Sequence, residues 1–114
     1  MSPLVRCFNQ KVLDFLNDLV RTFPDDDEIR MIKSAFLVST SQDDTEAIMR
    51  FKEHVAPFSD CIRNEDEGAF FSSGLDEGII RKIKEHWGAM CAEDRAASWS
   101  VLQLLLALSE KYGE

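Results

Sequence analysis

The chain is 114 residues long, 45% hydrophobic and 30% charged, with a formal net charge of −8. That length accommodates one domain, residues 1–114, and the composition excludes both a disordered tail and a collagen-like fibre. The acidity, −3 over residues 1–57 and −5 over residues 58–114, excludes a broad phosphate-neutralising face and disfavours contact with nucleic acid or an anionic membrane.

Apolar spacing along the chain is helical throughout. Ser2 is a capping residue and Pro3 fits a first helical position. Val5, Phe8, Val12, Phe15, Leu16, Leu19 and Phe23 then recur at intervals that place them on one face of a helix over residues 4–22. Phe23-Pro24 ends it, because the residue before proline avoids helical dihedrals. The run Asp25-Asp26-Asp27-Glu28 starts a second helix: carboxylates cap free amides and suit the positive end of the helix dipole. Ile29, Ile32, Ala35 and Phe36 form its buried face, and it is expected to end near Ser39. Asp43 or Asp44 caps a third helix carrying Ile48, Phe51 and Val55, closed by Pro57. A short fourth helix is expected over Phe58 to Arg63.

Asn64 to Gly68 is expected to be a loop. Phe70-Phe71 follows, with two readings. An extended crossing buries the rings on different sides; alternatively one ring packs and the other lies at the surface as an anchor for a partner. Asp76-Glu77 opens a further helix with Ile80, Ile83, Trp87 and Met90 on one side. Ala92-Glu93-Asp94 begins the last helix. Its two stripes, Trp99, Leu102 and Leu106 beside Val101, Leu105, Leu108 and Tyr112, predict burial around most of its girth. The expected fold is all-α: a single compact bundle of five to six helices with a buried C-terminal helix.

Three cysteines, Cys7, Cys61 and Cys91, are an odd number without a CxxC pair, which argues against a disulfide framework and for a reducing compartment. The N-terminus lacks the basic-then-apolar pattern of a signal peptide. The most apolar stretch, Val101 to Leu108, falls far short of the roughly 20 residues that cross a bilayer. No phosphate-loop, dinucleotide, zinc-protease or nucleophile-elbow motif is present, and no cofactor is implied.

The chemistry-bearing residues form few constellations. His54, Cys61, His86 and Cys91 offer four soft or borderline ligands, but not at zinc-finger spacing. Cys91 near a helix start, with His86, is the one catalytic pair worth naming, and it lacks a recognisable orienting group. A calcium loop with Gly68 at its invariant glycine would start at Arg63 and finish at Gly74, where acidic ligands belong. Asp25, Asp26, Asp27 and Glu28 carry more charge than one cap requires, which leaves them as candidates for a basic partner.

Taken together, Phe8, Leu13-x-Phe15-Leu16-x-Asp18-Leu19, Thr22-Phe23-Pro24, Phe51, Phe70-Phe71, Ile83-x-x-x-Trp87 and then Trp99, Leu102 and Leu105-Leu106 form a pattern. It resembles small acidic helical proteins encoded by nucleocytoplasmic large DNA viruses of algae and protists. The Ala and Gly content near residues 88–97 departs from it. The resemblance lends no catalytic residues; it implies a cytoplasmic setting, in the infected host cell or the virion.

The expected function is a non-enzymatic protein–protein interaction or structural module, self-associating as a homodimer or binding another protein. Eight Phe and two Trp exceed what a small core is expected to hide, so Phe70 and Phe71 join Asp25–Glu28 as candidate contact residues. The alternative is an acidic adaptor shielding a basic, nucleic-acid-binding partner. A thiol enzyme using Cys91 and His86 stands third.

Overall fold

The computed structural model describes residues 2–74 and 78–113. Ser2 Oγ accepts the Leu4 amide at 3.2 Å and Pro3 has no amide to satisfy, so helix α1 begins at once and runs Pro3–Thr22. Asp26 Oδ1 accepts the Glu28 amide at 3.0 Å and starts α2, Asp27–Gln42. Asp43 takes both the amide and the hydroxyl of Thr45, which turns the chain into α3, Glu46–His54. Pro57 lies in a 3₁₀ turn, Ala56–Phe58, that leads into α4, Ser59–Arg63. Then come α5, Glu67–Ser72, and α6, Gly78–His86. A 3₁₀ turn over Trp87–Ala89 leads to α7, Ala92–Lys111.

Among the described residues there are seven α-helices and no strand, so the all-α class holds and the expected count of five to six rises to seven. The added helix is α5. Asp66 caps it by accepting the Ala69 amide at 3.1 Å, so the segment read as a loop and crossing is helical from Glu67. The expected opening of α6 by Asp76-Glu77 lies outside the described residues. Helix α2 continues three residues past Ser39, because Ser39, Thr40 and Ser41 need not leave a helix when two of their hydroxyls bond back to Phe36 and Val38 carbonyls.

The core is one cluster. Helix α1 contributes Val5, Phe8, Val12, Phe15, Leu16 and Leu19, and α7 contributes Trp99, Leu102, Leu105 and Leu106. The two long helices pack on each other; α3 and α4 also pack on α7, while α2 lies against α1, α3 and α6. Helix α7 is buried on one face rather than around its girth: Leu104 and Ala107 are exposed, and Val101 and Leu108 only partly covered. The radius of gyration, 13.5 Å, is near the roughly 13 Å of a compact chain of this size.

Most of the aromatic surplus is held in or against the core. Of the eight Phe and two Trp, only Phe71 is among the exposed large apolar side chains. Trp99 and Trp87 meet edge to face at 5.4 Å, with Phe70 on Trp99 at 5.3 Å, which lets a small core hold four large rings in contact.

Helix α4 ends in a left-handed turn. The Glu65 amide bonds Ile62 O and the Asp66 amide bonds Cys61 O, with Glu65 at φ 52°. A side chain is strained there, so Glu65→Gly is expected to stabilise the fold by about 0.5–1 kcal/mol, read as a raised thermal midpoint.

Candidate functional site

The Asp25–Glu28 run meets α6 at a corner. Lys82 lies on the apolar side of α6, beside Ile83, and its side chain is only 3% exposed. A buried ammonium requires anions, and three supply them. Nζ lies 2.8 Å from Asp26 Oδ2, 2.6 Å from Glu28 Oε1 and 2.8 Å from Glu85 Oε2. Arg81 grips Glu28 in a two-pronged pair at 3.1 and 2.6 Å. His86 Nε2 lies 2.6 Å from Asp26 Oδ2, and its ring stacks on Phe23 at 4.0 Å.

The charges hold one another ionised. Hydrogen bonds from Lys82, then His86, keep the Asp26 carboxyl far below its ordinary range despite partial desolvation. Hydrogen bonds from Arg81, then Lys82, bring Glu28 down to about 2. Burial alone would push Lys82 down, but its bonds to Asp26, Glu28 and Glu85 outweigh that and hold it above its usual value.

Three of the four carboxylates in the candidate acidic contact run are paired within the chain. Asp26, largely buried, and Glu28, half-exposed, pair with cations of their own chain, and Asp27 pairs with Arg30. Asp25 is exposed. What sequence reasoning missed was Lys82, and the signal was available: Ile79-x-x-Lys82-Ile83-x-x-His86 puts the lysine on the apolar stripe of its helix. Asp26, Glu85 and His86 are the one group of potential metal ligands that converges among the described residues, and the Lys82 ammonium already bridges its two carboxylates. His54, Cys61, His86 and Cys91 do not form such a group. Cys61 Sγ bonds the Phe58 carbonyl, Cys91 sits exposed at the cap of α7, and His86 is engaged by Asp26 and Phe23.

Phe70 and Phe71 sit in α5, so the extended crossing with both rings buried does not form. Phe70 is fully buried; Phe71 is 37% exposed and leans on Trp87 at 5.4 Å. Its ring covers the tryptophan pair.

The larger apolar surface is on α2. Only Ile29 is buried there; Ile32 and Phe36 are half-buried. Met31 is 69% exposed, Val38 57% and Leu37 44%, and Ala35, expected on the buried face, is also exposed. On the inner flank of the same helix, Ile32, Ala35 and Phe36 line an apolar cleft of about 250 Å³, closed by Phe8, Ala47, Phe51 and Ile79. Arg50 and Glu46, paired at 3.5 Å, also line it. Ala35 belongs to both surfaces, so cleft and exposed stripe are continuous. The sequence signal was the leftover apolar set Met31, Leu37 and Val38, off the Ile29–Ile32–Phe36 face.

Among the described residues no helix is long and apolar enough to cross a membrane. Comparison with protein-family models, with curated proteins and with solved structures finds no match to this chain.

The corner sets a pH dependence. Asp26 and Glu28 bind protons less readily folded than unfolded, so their contribution is complete above about pH 5 and is lost as pH falls toward 2. Lys82, shifted up, contributes below about pH 10 and loses its share above its folded value. Thermal midpoints measured from about pH 7 down to about pH 2 are expected to fall steeply, and Asp26→Asn is expected to give a lower midpoint at neutral pH and a shallower acid limb. Lys82→Met leaves three carboxylates facing one another and is expected to cost about 2–3 kcal/mol in urea unfolding, toward the low end for a broken buried pair because Glu28 and Glu85 reach solvent.

Proposed function

We propose that the chain is a non-enzymatic protein-interaction module whose contact surface is the outward face of α2 with its adjoining cleft. The observation that carries this reading is the exposure of Met31, Val38 and Leu37 on a single helix that also flanks an apolar cleft. Scattered apolar side chains are normal on a protein surface, but Met31, Ala35 and Val38, four and three residues apart on one helix face beside a groove, mark a place where another chain docks. Most of the aromatic rings, by contrast, serve the core. The adaptor reading loses support from the pairing of Asp26 and Glu28 within the chain, and the thiol-enzyme reading from the engagement of His86. The resemblance to viral helical proteins supports the infected cytoplasm or the virion as the setting.

Methionine oxidation tests the contact surface. In the isolated chain at low concentration, Met31 and Met49, 69% and 53% exposed, are expected to oxidise at similar rates. In the cells that make the protein, Met31 is expected to be several-fold protected and Met49 not, with protection abolished by Val38→Glu. Equal oxidation of the two methionines in cells overturns the reading.

A further inference from the structure

We infer that the occupant of this α2 face is a second copy of the same chain, its own α2 laid antiparallel across a two-fold axis; the inference rests on the contact surface proposed above. The outward stripe is Met31, Ala35, Val38 and Gln42, all exposed. Their intervals of four, three and four residues are those of a helix–helix seam. In an antiparallel pair each position meets the complementary one: Ala35 faces Val38 of the second copy and Met31 faces Gln42, each twice. Small residues at the centre, with Ser34 and Ser41 exposed alongside, allow the two backbones to approach closely.

Charge selects this occupant. In a chain of net charge −8, residues 29–42 contain no Asp or Glu and carry Arg30 and Lys33. Two copies therefore meet without carboxylates in the seam, while Arg30 at its edge repels a basic partner. The antiparallel arrangement also sets Arg30 level with the acidic exit of the opposite α2, where Asp43 and Asp44 follow. Arg30 is partly engaged by Asp27 and the Pro24 carbonyl, and Asp43 by Thr45, so these charges set the direction of pairing more than its strength. A parallel pair would bring cation to cation and carboxylate to carboxylate. The seam is about three helical turns long, which makes a weak, reversible dimer the expected product.

Sedimentation equilibrium of the full chain is the test. The expected result is a mass that rises from 13.0 kDa toward twice that value as concentration increases from about 10 µM to about 1 mM. Val38→Glu and, separately, Met31→Glu are expected to hold the chain monomeric across that range, with circular dichroism and thermal midpoint unchanged because both side chains are exposed. Direction is tested in a Cys91→Ser background by mixing Met31→Cys with Gln42→Cys: a disulfide linking position 31 to position 42 supports the antiparallel seam, and predominant 31-to-31 linkage overturns it. A wild-type chain monomeric throughout overturns self-pairing. If Met31 is nevertheless protected in cells, the contact-surface reading stands with another protein as occupant; if it is not, both fall.

Discussion

Two twenty-residue helices, α1 and α7, each carry an apolar stripe, and they bury it in one core by packing on each other and on the shorter helices. Each large side chain fully buried this way contributes about 1.5–3 kcal/mol, so the α1–α7 contact outweighs any single polar interaction in the fold. The shorter helices complete the enclosure. Helices α3 and α4 add Ile48, Phe51 and Ile62 to the α7 side. Helix α5 brings Phe70 onto Trp99 and thereby joins the tryptophan pair to the same core.

Helix α6 is held differently. Its main helical neighbour is α2; Ile80 and Ile83 are buried in the core, and the Lys82 corner ties α6 to the start of α2. A buried ammonium has no tolerance for a missing partner, so three carboxylates must arrive together from two separate elements. That requirement orients the turn after α1, the first turn of α2 and the last turn of α6 relative to one another. It also draws on the chain's acidity from within. Three of the four carboxylates in its densest acidic run pair with cations of their own chain, which is why a net charge of −8 does not translate into a correspondingly strong anionic patch at that place.

The same corner fixes the start of α2, and α2 is anchored along its inner side by Ile29, Ile32 and Phe36. Its outer side is thus presented on a supported element. A stripe displayed from such a helix loses little conformational entropy on docking, the feature that lets a short seam bind at all. The bundle places most of its aromatic rings in the core, where edge-to-face contacts fill space, while three of its six exposed large apolar side chains, Met31, Leu37 and Val38, lie on α2.

Local chemistry made much of the fold legible. The bounds of α1 and the start of α7 follow from Ser2-Pro3, Phe23-Pro24 and Ala92-Glu93-Asp94, and the α1 stripe from its periodicity, because caps and helical spacing act within a few residues. Helix α5 was not legible, since its cap at Asp66 stands inside a segment whose composition also suits a loop. The pairing of Asp26 and Glu28 was hidden for a different reason. Their partner Lys82 is fifty-six residues from Asp26, and nothing local says which of four adjacent carboxylates will meet it. The fate of the apolar surplus was hidden likewise: whether Phe or Met and Val end up outside depends on which helix faces find neighbours. The sequence by itself therefore determined an all-helical chain, the limits of α1 and the start of α7. Only the tertiary structure decided which charges are neutralised within it and which apolar face is left for another chain, because both are set by contacts between elements far apart along the backbone.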